Sequence, residues 1–284
     1  MKDPLVSVLI CTHNAEKFIG ATVVSVLNQT YRNIEILFLD NCSSDKTVQI
    51  VQEIACSNGP PLTASVRKGP SIRLIQGNKN IGPYAGLNLL LNLAKGKYIA
   101  INDHDDIWHP EKIKKQVIFL ETNKEYVGCG SAIINWYEKY FASVYRARNT
   151  NDSIAWHTSL MFGNKGYRYD ESIPIGGDFY FMKKILCGDQ KLIYNFPEPM
   201  VLRRIFKGRQ NLSGQWMKNV LFMDIVKLKI GWIDKLALIN RYVLPQQLVE
   251  KFLVYLFGNN TPKQYVNHLT TLKKFSVNLS KEKS

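Results

Sequence analysis

A chain of 284 residues with 45% hydrophobic and 21% charged side chains is long enough to bury a large core and too apolar to be disordered. Its formal net charge of +14 is the one unusual bulk value, and eleven Lys and Arg against four Asp and Glu between Leu212 and Ser284 place half of that excess in the last stretch of the chain. Five cysteines without C-x-x-C spacing speak against disulfides and zinc, and no apolar run is long enough to span a membrane. The expectation is a cytosolic protein, soluble or peripheral at the inner face of the plasma membrane.

The chain opens on a continuous apolar run, Val6 to Cys11, and Ile34 to Leu39, Ile72 to Ile75 and Tyr98 to Ile101 are of the same kind, as strands buried on both faces are. Between them apolar residues recur at helical spacing: Ile19, Val23, Val26 and Leu27, then Val48, Val51, Ile54 and Ala55 with Ser44 or Asp45 as cap, then Leu89, Leu90 and Leu93. Such alternation predicts right-handed crossovers and a mostly parallel, doubly wound α/β sheet of nucleotide-binding type. Residues 58 to 71 form a surface loop within one crossover. Further on, the pattern predicts a helix from Pro110 to about Asn123, a strand over Val127 to Trp136 and a mixed aromatic stretch over 137 to 176. A helix from Asp178 to about Cys187, a strand over Lys191 to Tyr194 and a turn at Pro197 and Pro199 follow. Beyond Trp216 the chain reads as basic amphipathic helices.

The densest chemistry is Asp103-His104-Asp105-Asp106, directly after a strand. Three carboxylates in four residues repel one another unless a hard divalent cation holds them ionised, and ligands of open α/β sheets collect at the carboxyl ends of strands. The first strand ends in Thr12-His13-Asn14 and the second in Asp40-Asn41, where a carboxylate accepts from a base N–H or a ribose hydroxyl. The third region, Asn78 to Asn88 with Gly82 and Gly86, sets flexible glycines at a helix N-terminus suited to phosphate. It matches neither the dinucleotide fingerprint nor the P-loop.

In chain order, Val6 to Asn14, Ser25 to Tyr31, Glu35 to Thr47, Asn80-Ile81-Gly82, and Gly96 to Ile99 leading into Asp103-His104-Asp105-Asp106 resemble the inverting family 2 glycosyltransferases of GT-A fold. Phe179 with its neighbours, and Arg203/Arg204 with Asn211-Leu212-Ser213, continue the pattern. The resemblance implies a catalytic domain over 1–215, with a nucleotide-binding half at 1–106 and an acceptor-binding half at 107–215, and leaves 216–284 as a helical extension. It implies Thr12, His13 and Asn14 at the base and ribose, Asp40 reading the base, and Asn80 and Gly82 around the donor, while Arg203, Arg204 and Arg209 are expected to approach the diphosphate from a flexible loop, since guanidinium pairs bidentately with phosphate. Asp105 becomes the metal ligand, with Asp103 beside it or on the ribose and Asp106 in either role, for Mn²⁺ or Mg²⁺. Asp178 becomes the general base that takes the acceptor proton. Here Gly176-Gly177 precedes Asp178 where the family carries Glu, so Asp170 and Glu171 stand as alternatives and an N-cap role for Asp178 as another. Cys11 and His13 also replace the usual Pro and Tyr. His157 matches an acceptor-side segment, but a lone histidine among aromatics reads first as packing.

The implied activity moves a sugar from a nucleotide-diphosphate donor, UDP-linked by expectation, onto an oligosaccharide or lipid-linked glycan acceptor of surface polysaccharide. The tail helices suit an anionic membrane surface, the catalytic domain or a homodimer interface. Competing classes are a sugar-phosphate nucleotidyltransferase, which needs a basic glycine-rich loop that Thr12-His13-Asn14-Ala15 does not supply, and a non-catalytic nucleotide-binding relative. A nucleic-acid binder is disfavoured, because the most distinctive cluster is acidic.

Overall fold

A computed structural model describes residues 3–57, 70–138, 142–173, 176–188 and 191–206. The loop at 58–69, Arg209, Asn211-Leu212-Ser213 and the expected tail helices lie outside the described residues.

The four apolar runs form β1 (Val6–Thr12), β2 (Ile34–Asp40), β3 (Ser71–Gln76) and β4 (Tyr98–Ile101). The periodic segments between them form α1 (Ile19–Leu27), α2 (Thr47–Ser57) and α3 (Pro83–Leu93). Asp45, rather than Ser44, receives the Thr47 amide at 3.0 Å where α2 begins. Beyond β4 come β5 (Ile107–Trp108), α4 (Lys112–Thr122), β6 (Gly128–Tyr137), β7 (Ala142–Arg146), β8 (Asn151–Asp152) and β9 (Met161–Gly163). The last elements are α5 (Gly177–Tyr180) and β10 (Ile193–Ile205).

One sheet runs β3-β2-β1-β4-β9-β6-β10-β5, with β7 paired to β6 and β8 to β10. It is parallel from β3 through β4 and turns mixed at β9, which pairs antiparallel with both β4 and β6. Alternate side chains of the parallel strands face two separate cores. Val6, Val8 and Ile10 pack with α1, α2 and α4 on one side, and Leu9, Leu37 and Ile99 pack with α3 and Phe181 on the other. The β1–β2 register runs without slip from Val6↔Ile34 to Thr12↔Asp40, which leaves Thr12 and Asp40 level at the strand ends.

Two expectations are corrected. Pro197 and Pro199 do not turn the chain: β10 continues through them, shifting register between Phe196 and Pro199 and again before Val201, since proline cannot donate to the ladder and the strand bulges instead. Arg203 and Arg204 therefore lie within a strand, opposite Asn135 and Trp136, and not on a flexible loop. The helix after Gly176 is not uniform either. One α-turn passes into a π-turn over Phe181–Leu186, where the Cys187 amide reaches back to the Met182 carbonyl at 3.0 Å.

Lys112 is fully buried at the start of α4, with Nζ 3.8 Å from the Trp108 ring centre and donating to Gln116 Oε1 at 2.8 Å. Burial pulls its pKa down to about 7. The unfolded chain keeps the ordinary value of 10.5 and so binds more protons than the folded one between those limits, and stability rises with pH across that window. From pH 7 to 9 the wild-type chain should gain about 2 kcal/mol more than Lys112→Met. Thermal unfolding of both at the two pH values checks it; equal shifts would contradict it.

Candidate active site

Three neighbouring strands end on buried polar atoms that have no hydrogen-bond partner among the described residues: Oδ1 of Asp40, the last residue of β2, Oγ1 of Thr12, the last of β1, and Nδ2 of Asn102, just after β4. Asp40 spends its other oxygen on the Ser43 amide at 3.1 Å, and Asn102 Oδ1 accepts the Thr158 hydroxyl at 3.3 Å. A buried polar atom left unpaired costs about 1–3 kcal/mol. Three in a row at the carboxyl edge of a parallel sheet make a prepared ligand site.

Around them the turns are rigid. His13 Nδ1 lies 3.0 Å from the Asn41 carbonyl, and Asn14, at φ 51°, accepts the Ser44 amide on Oδ1 at 2.8 Å. Asn41 is the organiser that sequence reading passed over. Its amide donates to Asn80 Oδ1 at 2.9 Å and to the Gly82 carbonyl at 3.1 Å, and its Oδ1 accepts the Ile81 amide at 2.9 Å. Asn80 accepts the Gly82 amide in turn. The glycine-bearing loop is thus pinned rather than flexible, and the Ile81 and Gly82 amides are already donated. Gly82 is needed for its φ of 84° ahead of Pro83, and Gly86 for the approach of α3 to Cys11, whose Sγ would lie 2.6 Å from an added Cβ. The nearest legible signal for Asn41 was its place one residue beyond a strand-end carboxylate, facing a second Asn-rich turn.

The acidic loop joins β4 to β5 in a tight turn, with the Asp106 amide on the Asp103 carbonyl at 3.2 Å and the His104 carbonyl tied to the Thr22 hydroxyl at 3.0 Å. Asp105 and Asp106 are buried. Facing them from β10 is Arg204, also buried, its guanidinium 5.4 Å from the Phe18 ring centre and its Nη2 without a hydrogen-bond partner among the described residues. Burial lowers the Arg204 pKa, and the charges of Asp106 and Asp105 oppose that fall. Part of the positive charge demanded by the acidic cluster thus comes from the chain itself. Burial, with Asp40 and Asp103 nearby, pushes the Cys11 thiol up to about 12. Arg203 is half-buried one residue before Arg204.

Asp178 is the second residue of α5 and not its cap, which is Gly176 at φ 70°. Gly177 has a physical reason: an added Cβ would stand 2.5 Å from the Tyr84 ring, and the Tyr84 hydroxyl accepts the Asp178 amide at 3.3 Å. Asp170 accepts the amide and hydroxyl of Ser172, and Glu171 accepts from Asn88, so both alternatives to Asp178 are engaged in the loop before it. His157 is not mere packing. Its Nδ1 lies 3.1 Å from Asp103 Oδ1 and its Nε2 2.9 Å from the Tyr169 hydroxyl. Burial works against the imidazolium, but the hydrogen bond and charge of Asp103, with Asp178 and Asp106 behind them, carry the pKa above its ordinary value.

The model of the family described as glycosyl transferase family 2 matches residues 7–187. The chain belongs to that family. This family 2 transferase is 27% identical to an uncharacterized glycosyltransferase of Methanocaldococcus jannaschii over 99% of its own length and 97% of that protein's. It is 40% identical to an Escherichia coli UDP-Glc:α-D-GlcNAc-diphosphoundecaprenol β-1,3-glucosyltransferase over 42% of this chain and 43% of that one, so it spans less than half of that relative. Among solved structures, the mannosyltransferase PcManGT of Pyrobaculum calidifontis, in complex with GDP-Man and Mn²⁺, superposes with a TM-score of 0.57 at 16% identity, covering 80% of this chain and 64% of that one. That likeness shows a GT-A fold in the transferase.

The transferase's acidic turn offers three carboxylates, the donor chemistry that Mg²⁺ and Mn²⁺ take, beside the His104 imidazole. Among its described residues no three His, Cys, Asp or Glu side chains converge as a metal cage, and such cations are commonly held by one or two carboxylates plus substrate phosphates. The residues therefore fit a cation shared with a bound diphosphate. No helix among the described residues is long and apolar enough to cross a membrane.

Proposed function

We propose that this chain transfers a sugar, with inversion, from a UDP-linked donor to a lipid-linked glycan acceptor in surface polysaccharide synthesis. The observation that carries the donor half is the row of unpaired buried atoms on Asp40, Thr12 and Asn102 beside the acidic turn. Asp40 Oδ1 suits the imide N–H of uracil, and Thr12 and His13 lie at the ribose end of the same edge, with Asn14, Asn80 and Gly82 shaping the wall. The acceptor half rests on the Escherichia coli relative, whose name gives an undecaprenol-linked acceptor.

In this reading the acceptor hydroxyl attacks the anomeric carbon from the face opposite the diphosphate, and its proton passes to Asp178 as the new C–O bond forms. The bond to the diphosphate breaks with its electron pair on the departing oxygen. Asp105 and Asp103 would hold a divalent cation, which when bound supplies charge neutralisation at the leaving group. Arg204 adds fixed positive charge behind the same turn, and Arg203 lies beside it.

Calorimetric titration with UDP, GDP and TDP tests the donor half. UDP should bind at least about tenfold more tightly than GDP, and Asp40→Ala should erase about tenfold of that affinity, the scale of one lost hydrogen bond to a charged group. Equal binding of UDP and GDP, or an unchanged Asp40→Ala, would overturn the assignment of the base.

A further inference from the structure

Tyr169 and His157, which take no part in the proton transfer or in the departure of the diphosphate, connect the donor side of the site to the acceptor side. Tyr169 is fixed from several directions. The buried Asn88 of α3 donates to the Tyr169 carbonyl at 3.0 Å and accepts its amide at 2.8 Å. The Tyr169 ring stacks on Phe181 at 3.9 Å between centroids and on Tyr84 at 5.5 Å. Its hydroxyl meets His157 Nε2, and the other ring nitrogen of His157 meets Asp103 Oδ1. Phe181 lies three residues beyond Asp178, and Tyr84 receives the Asp178 amide. One tyrosine thus braces both the carboxylate at the end of β4 and the turn that bears the proposed base. The neighbouring Thr158 adds its own grip on Asn102.

A carboxylate on a short turn can rotate about two bonds, whereas one hydrogen-bonded to an imidazole that is itself held by a packed phenol has one favoured orientation. Displacing a reacting group by about 1 Å costs on the order of 100-fold in rate. We propose that His157 and Tyr169 are positioning residues, a strut that holds Asp103 at a fixed separation from Asp178 and so sets the gap between bound donor and base. In the proposed mechanism neither residue exchanges a proton with the acceptor or the diphosphate; both act through Asp103. The inference rests on the reading of Asp103 as a donor contact.

The test uses the full chain with UDP-sugar donor and measures kcat, donor KM and thermal midpoint for His157→Leu, His157→Asn, His157→Gln, Tyr169→Phe and Asp103→Asn. His157→Leu should lower kcat by about 10- to 100-fold. His157→Asn, whose amide nitrogen falls where Nδ1 stands, should recover much of that loss. His157→Gln, whose amide falls where Nε2 stands, should not. Tyr169→Phe keeps the ring stack and removes one hydroxyl; it should lower kcat in the same direction, and its combination with His157→Leu should be less than additive. Retained kcat in both His157→Leu and Tyr169→Phe, or equal activity of the Asn and Gln variants, would overturn the strut. If His157→Leu does not fold, Tyr169→Phe carries the decision. Unchanged donor binding in Asp103→Asn would instead overturn the reading of Asp103, a separate failure.

Discussion

Asp178→Asn should lower kcat by about 1,000-fold while leaving the affinity for UDP within about twofold of wild type. The substitution keeps the shape of the side chain and its place in α5 after Gly176, so the fold has no reason to respond. It removes the capacity to accept a proton and, with the charge, one of the weaker contributions to the raised His157 pKa. General-base assistance contributes about 10²- to 10⁴-fold, and the two alternative carboxylates of the sequence reading are engaged, Asp170 with Ser172 and Glu171 with Asn88. The measurement is steady-state turnover beside calorimetric UDP binding. Loss of both together would point to a structural role, and unchanged turnover would move the base elsewhere.

The second large effect is expected at Asp105. Asp105→Ala should abolish the part of the nucleotide-induced thermal shift that depends on Mn²⁺, and lower turnover by about 100-fold or more, since a cation at a leaving diphosphate is worth several kcal/mol. Binding energy gained with ligand appears directly as stability, about 2.7 kcal/mol at a hundred times Kd. The thermal readout therefore reports on the cation without relying on catalysis. Asp105 is buried in the turn that opens at Asp103 and faces Arg204, so the alanine variant also leaves Arg204 with less opposing charge. The control is the nucleotide shift without metal, which should survive. A Mn²⁺-dependent shift that persists in Asp105→Ala would remove this residue from the cation site.

The parallel half of the fold was legible because its strands are unbroken apolar runs and its helices repeat at 3.6 residues. Each of β1 to β4 was read to within a residue or so of its observed limits. The second half was less so. Strands of two or three residues, such as β5, β8 and β9, carry too little periodicity to register, and they are held by partners far along the chain. Prolines normally end strands, so a strand that bulges past two of them reads as a turn. The same split runs through the site. Thr12, Asp40 and the acidic turn stand at strand ends, where topology alone marks them. His157, Tyr169 and Tyr84 are residue types whose ordinary place is a core, and what lifts them out of it is a set of contacts spanning 54, 12 and 94 residues. Asn41 was hidden differently: its work is to tie one turn to another through the Asn80 side chain and the backbone of Ile81 and Gly82, which leaves no motif.

The room beside Gly177 has been ceded to the ring of Tyr84, so positions 84 and 177 form a compensating couple. Restoring the acidic pair at 177–178 would have to begin with a smaller residue in α3.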